Sequence, residues 1–591
     1  MATYSSELPS KAYVPNVVIR FMGDYYSIRQ PDSGLTVDAD KNGTVTSLNL
    51  NPTQIDPFKA TTAINTNSFK ILDKDGILTS KFASNPQIFQ GELCEIWIGR
   101  VNVSMAFSDY YKCTDTYISK VSKQDAAYTF QSKEAKDRLS SGAFSLSQKL
   151  AVDILAATTV ITLQDASLLP SSGLFKLNDE YISYTSIVGN NLQGCIRGEQ
   201  GSTPADHELG DSIYIAEVIQ DNPITLLLQL LISSGGTGTY DVLSDGAGLD
   251  ESLIDVTEFE EIRDNYYYGI TYKFILNNIE SLKKFIEDEI LFPNGLRLRS
   301  NNNSKIGLAA LNKAILNIDA PIIDHDEITK SPQYSVDDTK ITNRISIEWN
   351  YDDKINKYLN ISLYTDTDSI TQFGETKILA LKFKGVKESL SGQTIVDEIG
   401  ASFLRRFAFP KPIISTSTHM SSSEWLLGEN PELQSVHVPN SDGELNFADS
   451  VQVVQRAINQ DTGDVKFQLS FTEFTGVRLC FLAPSDTITV VNSQSSIDIG
   501  AGRGDNYRVG WVMRLYNNTT RDYADVQENI INTISGDTIT FTSNWTTTLT
   551  TSHRIMFADY NSVTAQQKMF CFMSNLSNNF SDGKKPYQIV F

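Results

Sequence analysis

Short runs in which apolar and polar residues alternate recur along most of this chain. Gly, Asn and Asp interrupt them, which predicts β-strands joined by tight turns. Val17-Val18-Ile19-Arg20-Phe21 leads into a turn at Gly23-Asp24, and Cys94 to Val101 alternates like a half-buried strand. Leu155 to Leu163 is rich in β-branched residues and predicts another strand. From Gly173 the spacing is denser. Leu174 to Leu177 predicts a strand, Asn178-Asp179 a turn, Glu180 to Tyr184 the returning strand, and Gly189-Asn190 a second turn. Leu296 to Arg299, Ile341 to Trp349, Thr376 to Phe383, Phe467 to Phe474, Val512 to Tyr516 and Thr538 to Phe541 predict further strands.

Helical spacing is confined to a few places. Asp221-Asn222-Pro223 supplies a cap and an N1 proline ahead of Ile224, Leu227, Leu228, Leu230 and Leu231. Glu280 to Leu291 carries Leu282, Phe285, Ile286 and Ile290 on one face, and Thr394 to Phe409 carries Ile395, Ile399, Phe403 and Leu404 on another. The expected fold class is therefore mainly β with minor α.

A chain of 591 residues exceeds a single core, and about three to five domains of roughly 100–150 residues are expected. The pattern suggests an N-terminal β region at 1–140, a small β-module at 141–218, an α+β region at 219–335, a second β region at 336–475 and a C-terminal β-domain at 476–591. The module reads as an insertion at a loop tip, with its two ends close together.

Charge narrows the function. The net charge is −22, and no Lys/Arg cluster offers the counterion-displacing contacts that nucleic-acid binding needs. No specific nucleic-acid partner is expected. No apolar run reaches the roughly 18–20 residues that span a bilayer, and the N-terminus lacks a basic-then-apolar leader pattern, so no membrane partner is expected either. Cys94, Cys113, Cys195, Cys480 and Cys571 are widely spaced, as reduced thiols of a protein made in a cytoplasm would be.

Candidate chemistry is sparse. Glu258, Glu260, Glu261 and Asp264 are dense enough to hold a carboxylate pair, although a solvated face is the commoner meaning of such a cluster. Asp324-His325-Asp326-Glu327 lacks a second His or Cys at ligand spacing. His207, His419, His437 and His553 are isolated, and no Ser–His–Asp set can be assembled. Gly500-Ala501-Gly502-Arg503-Gly504-Asp505 lacks the Lys-Ser/Thr of a phosphate loop and reads as a turn. Tyr266 to Tyr268 read as sheet packing. No catalytic residue, metal ligand or cofactor is assigned, and the chain is read as a non-enzyme. The module's Tyr181, Tyr184 and Arg197 are the candidate contacts to a partner or a surface glycan, because a loop-tip module is well placed for partners.

Several stretches resemble proteins of tailed bacteriophages. The order of turns and strands from Gly173 to Gly210, with Gly194-Cys195, Arg197-Gly198 and His207, looks like a β-module that recurs in their tail proteins. Asp221 to Leu298, Asp337-Asp338 followed by Ile341 to Asp352, and the C-terminal Gln567 to Ser574 with Phe580 to Gly583 are similar to the central tail-hub, or baseplate-hub, family. Trp349 stands where that family commonly has Tyr or Val. The resemblance implies a structural virion protein at the tail tip. Each subunit would carry two tube-like β-barrels, and a homotrimer would form a pseudo-sixfold ring. Such a ring would continue the tail tube or the distal tail protein, be plugged by a tape-measure end or a central spike, and pass DNA on infection. The alternative is a distal-tail or receptor-binding protein whose inserted module grips a host glycan.

Overall fold

The computed structural model describes residues 14–50, 53–54, 66–101, 105–134, 139, 142–267, 269–301, 305–311, 322–336, 341–419, 425–439, 445, 447–459, 464–471, 486–504, 507, 509–517, 519, 522–523 and 527–557. They fall into two compact units, Met1–Glu473 and Phe474–Phe591. The resemblance at Asp337-Asp338 and at the C-terminus beyond residue 557, Tyr268, and Cys480 and Cys571 lie outside the described residues.

The first unit opens with β1 (Pro15–Phe21), β2 (Asp24–Ser27), β3 (Val45–Asn49), β4 (Thr53–Gln54), β5 (Thr66–Leu72), helix α1 (Ile77–Ser84), β6 (Leu93–Arg100), β7 (Tyr111–Gln124) and β8 (Ala127–Lys133). Seven of these strands make one sheet in the order β2-β1-β6-β7-β8-β5-β3. Thr44 closes it. The Thr44 N–H donates to the Ser27 carbonyl at 3.1 Å, and its own carbonyl accepts from Leu72 N–H at 2.8 Å. The edge strands thus meet, which removes exposed edges. Alternation fills the inside: Phe21, Phe69, Phe89 and Phe130 pack there, with the Phe21 and Phe130 rings 4.9 Å apart.

Residues that follow build a smaller unit from β9 (Ser147–Lys149), β10 (Ile161–Thr162), β11 (Gly173–Leu177), β12 (Glu180–Tyr184), β13 (Ser186–Val188), β14 (Asn191–Gln193), β15 (Ile196–Glu199) and β16 (Ser212–Asp221). It has its own core, including Leu163, Phe175, Ile182, Leu192 and Ile213. Only Ile161–Thr162 of the strand expected over Leu155 to Leu163 forms. Leu155 and Thr158 instead bond to each other, through Thr158 N–H to the Leu155 carbonyl at 2.9 Å and Leu155 N–H to Thr158 Oγ1 at 3.0 Å. A local Thr turn here outcompetes the β-branched propensity.

Strand β16 carries the chain onward. Its first half pairs with β11, and Glu217 to Asp221 pair with β17 (Tyr272–Leu276). Between them lie α2 (Pro223–Ile232) and α3 (Val256–Tyr266). Asn222 Oδ1 accepts from Ile224 N–H at 3.0 Å, capping α2 as its sequence predicts. Helix α2 is apolar on nearly every side and is buried accordingly. Next come α4 (Leu282–Phe285), which runs on as a π-helical turn over Ile286–Leu291, then β18 (Leu296–Ser300) and β19 (Ile306–Ala310).

β20 (Ile328–Ser335) starts a second barrel. The chain then leaves it to make β21 (Arg344–Asp352), β22 (Lys357–Thr365), α5 (Thr367–Phe373), β23 (Ile378–Lys382) and α6 (Gly392–Phe407). β22 runs antiparallel to β21, and β23 runs parallel to it. Helix α6 covers one face of this three-stranded sheet. Trp349 is 1% exposed there and donates to Ser362 Oγ at 3.0 Å, and only glycine fits at Gly392, where a Cβ would lie 2.6 Å from the Trp349 ring.

β24 (Ile413–Thr418), β25 (Glu432–Ser435), β26 (Phe447–Ile458) and β27 (Val465–Phe471) complete the second barrel in the order β20-β24-β27-β26-β25. Ile323 closes it against β25: its N–H donates to the Glu432 carbonyl and its carbonyl accepts from Gln434 N–H, both at 2.9 Å. The barrels are fastened side by side. β4 of the first pairs with β26 of the second, and Val18 and Tyr110 share a core with Ile414, Val453 and Phe467.

The second unit holds β28 (Asp486–Thr487), β29 (Val490–Ser493), β30 (Ser496–Asp498), β31 (Val512–Asn517), β32 (Asp522–Tyr523), β33 (Asn529–Ser535), β34 (Thr538–Phe541) and β35 (His553–Phe557) around Ile497, Leu515, Ile539 and Trp545. The chain is mainly β with a minor α component and several sheets, as its periodicity predicts.

The π-helical turn contains one unusual carboxyl. Glu289 is 9% exposed and accepts Lys384 N–H at 2.7 Å. Burial pushes its pKa up to about 7, against the opposing pull of Lys384. The folded value lies above the unfolded one, so the neutral form stabilises the fold. That contribution is complete below the ordinary carboxylate range and is lost as pH rises through about 7. Glu289→Gln should therefore raise the melting temperature of this unit at pH 8, by a stability gain on the order of 2 kcal/mol, and leave it nearly unchanged at pH 4. Calorimetry at the two pH values checks this; an equal shift at both would assign the effect to packing.

Candidate functional site

The segment from β9 to β16 carries a dense polar construction, and its centre is Glu180. Alternation along β12 puts Glu180 on the same side as Ile182 and Tyr184, facing the module's core. A carboxylate at 1% exposure needs several donors to remain charged. It has five. Arg197 approaches as a fork, Nε to Oε1 at 2.8 Å and Nη2 to Oε2 at 2.6 Å. His207 Nε2 lies 2.9 Å from Oε2, and the backbone N–H groups of Gly198 and Ala205 each donate at 3.1 Å. Burial alone would raise the Glu180 pKa, but the donors, led by Arg197 and then His207, hold it below the ordinary carboxylate range.

Each partner is itself fixed. Arg197 also donates to the Leu155 and Ala205 carbonyls, both at 2.6 Å. His207 Nδ1 lies 3.3 Å from the Asn178 amide, which assigns the ring proton to Nε2 and hence to Glu180. Gly198 sits at φ +73°, and a Cβ there would come within 2.9 Å of the Ser202 carbonyl and of Pro204. The cluster ties the β11–β12 hairpin to the loop running from Gln200 to Gly210, which has little regular structure of its own.

The expected surface residues are accordingly not on the surface. Tyr184 is 2% exposed in the module's core and donates to the Pro170 carbonyl at 2.7 Å. Tyr181 is 1% exposed on the opposite face of β12, where the rest of the unit covers it. Burial, with Asp353 close by, pushes its phenol well above the usual range. Lys273 Nζ lies 3.4 Å from Gln200 Oε1 on the same side. Arg197 is committed to Glu180. Of the three residues expected to contact a partner or a glycan, the two strand tyrosines pack here and Arg197 neutralises a buried acid. Glu180 was overlooked, and its signal was an acid at an inward position of an alternating strand.

The other candidates are also structural. On α3, Glu258 accepts from Arg299 at 2.7 Å and from Leu308 N–H at 3.1 Å, Glu260 accepts from the Tyr240 hydroxyl, and Asp264 pairs with Arg263. Arg299 is 8% exposed and bridges Glu258 to Glu429, which joins α3 to the segment before β25. Asp324 Oδ1 accepts from His325 N–H, and the His325 and His437 rings meet edge to face at 5.0 Å. Among the described residues no three His, Cys, Asp or Glu side chains converge as a metal site. In the second unit Asp486 accepts from Arg503 and from the Tyr507 hydroxyl, so the glycine-rich loop is held as a turn; Asp505 lies outside the described residues. Burial pushes the Cys113 thiol up to about 12 and the Cys195 thiol up to about 11, which leaves both unreactive near neutral pH.

No protein-family model and no curated protein matches the chain. Solved structures do match it. The tail protein from Neisseria meningitidis MC58 is 10% identical with a TM-score of 0.35, over 78% of this chain and 98% of its own. Prophage tail protein gp18 from Listeria monocytogenes EGD-e is 9% identical with a TM-score of 0.34, over 78% and 95%. The 43 kDa tail protein of prophage MuSo2 from Shewanella oneidensis is 10% identical with a TM-score of 0.29, over 77% and 98%. At these scores the overlap is loose, and the chain's function is read from its own residues.

The Glu180 cluster makes the module acid-sensitive. A depressed carboxylate pKa contributes stability that is present above the unfolded value of 4.5 and is lost as pH falls through the folded value. Glu180→Gln leaves Arg197 buried without its counter-charge and should cost the module about 3–5 kcal/mol at pH 7. Hydrogen exchange of β11 and β12 should report it, with the difference from wild type shrinking as the pH drops below 4.5. Unchanged exchange at pH 7 would show that the cluster does not hold the module together.

Proposed function

We propose that this chain is a structural protein of a tailed-phage virion, acting as the hub at the tail tip. The observation that carries the reading is the pair of closed barrels in one chain, fastened side by side by the β4–β26 pairing and a common core. A chain with two such barrels can present a pseudo-sixfold ring with only three copies, and closed rotational symmetry is the default for such assemblies. The hub-like sequence from Asp221 to Leu298 and from Ile341 to Asp352 supports the same assignment. In this role the partners are two further copies of the chain, a distal tail or tail-tube protein on one side, and a tape-measure end or central spike in the bore.

Charge fits the task. DNA must leave through the ring without adhering, and a chain with 71 acidic against 49 basic residues offers phosphates little to bind. The bore-facing strands are accordingly neutral or acidic. The distal-tail reading with a glycan-gripping module is less favoured, because packing and charge pairing occupy the three residues it relied on. Native mass spectrometry of the purified chain should give a trimer. A stable monomer, or a ring of six copies, would overturn the hub assignment.

A further inference from the structure

We infer that the closure of the second barrel is an acid-released latch, held shut at neutral pH by the uncharged imidazoles of His325 and His419.

The two barrels close in the same way but with different side chains at the seam. In each, one residue outside the strands makes a pair of backbone bonds, Thr44 in the first barrel and Ile323 in the second. Residues 14–134 contain no histidine, whereas three of the chain's five, His325, His419 and His437, gather at the second seam. His325 opens a short 3₁₀ turn, His325–Glu327, two residues after Ile323. His437 follows β25, and its ring meets that of His325 edge to face at 5.0 Å. His419 follows β24, and its N–H donates to the Glu327 carbonyl at 2.9 Å. The turn is thus tied to β25 through Ile323 and to the end of β24 through Glu327. Histidine is the side chain whose charge changes between about pH 5 and 8.

The positions of the ring nitrogens decide what protonation does. Nδ1 of His325 and Nδ1 of His419 are both shut off from solvent and have no hydrogen-bond partner. An uncharged imidazole can leave Nδ1 as a bare lone pair. An imidazolium cannot, because both its nitrogens carry protons and one N–H is then buried without an acceptor. Protonating His437 as well would place a second positive charge against His325.

The facing charges do not reverse this. Asp324, Asp326 and Glu327 on the turn and Glu432 on β25 attract an imidazolium at His325. Asp324 and Asp326 are exposed and screened by water, and Glu432 accepts from the Gln434 side chain. At His419, burial outweighs the pull of Asp464 and Glu327, with Arg100 opposing them, and holds the pKa below 6.5. The uncharged ring is therefore the folded form. Its contribution is complete above 6.5 and is lost as pH falls from there through the lower folded value. Loosening the turn frees Ile323, and with it the seam to β25.

Hydrogen exchange of the full chain at pH 7.5 and 5.5, corrected for the intrinsic pH dependence of exchange, tests this. The amides of Ile323, Gln434 and His419 make the latch, and those of Thr44 and Leu72 make the first barrel's histidine-free seam. Wild type should lose protection at the latch by at least about 10-fold on acidification and keep it at the first seam. The double variant His325→Gln, His419→Gln should show equal latch protection at both pH values. Unchanged latch protection in wild type, equal loss at both seams, or a double variant as acid-sensitive as wild type would each overturn the latch. Should the double variant fail to fold, the comparison of the two seams in wild type decides.

Discussion

A β-sheet with a free edge invites other strands, and much of this fold follows from how the chain removes its edges. Twice it does so by closing a barrel. Thr44 stitches β2 to β5, and Ile323 stitches the segment before β20 to β25, each with a pair of backbone bonds. Closure leaves two small barrels with little surface to hold them together. β4 solves this by leaving the first barrel and pairing with β26 of the second, while Val18 and Tyr110 reach into the second barrel's core. Where neither closure nor covering occurs, on the outer face of β21–β22–β23, aliphatic side chains stand in solvent.

Buried charge shows two further patterns: some buried acids are surrounded by donors, and one is pushed toward its neutral form. Glu180 and Glu258 are paired with arginines and bonded to backbone N–H groups, so they lock a loop and a helix in place. Glu289 accepts from the Lys384 N–H, and burial outweighs the pull of Lys384 and Lys387, so its pKa rises instead. None of these acids lies beside a second group arranged to act on a bound molecule. They brace the fold.

Much of this was legible in the sequence. Alternation marked β1, β6, β12, β21 and β34, and the Asn222-Pro223 cap marked α2, because half-buried strands and capped helices are written in local spacing. The three-residue closures at Thr44 and Ile323 were not legible, since they depend on distant backbone groups meeting. The Leu155 to Leu163 run misled because a Thr side chain bonded locally. The burial of Tyr181 was not legible, because nothing in a strand's spacing says what covers its second face, whereas Tyr184 shares the inward face of β12 with Ile182. His325 read as a lone histidine because its neighbour in space, His437, is brought to it only by the closure of the second barrel.

The central claim is that one chain supplies two positions of a sixfold-like ring. Electron microscopy of the assembled protein viewed down its axis tests it directly. The account predicts threefold symmetry, with six barrels alternating between the 14–134 type and the 322–471 type around one bore. A ring built from one barrel type, or strict sixfold symmetry of this chain, would contradict it.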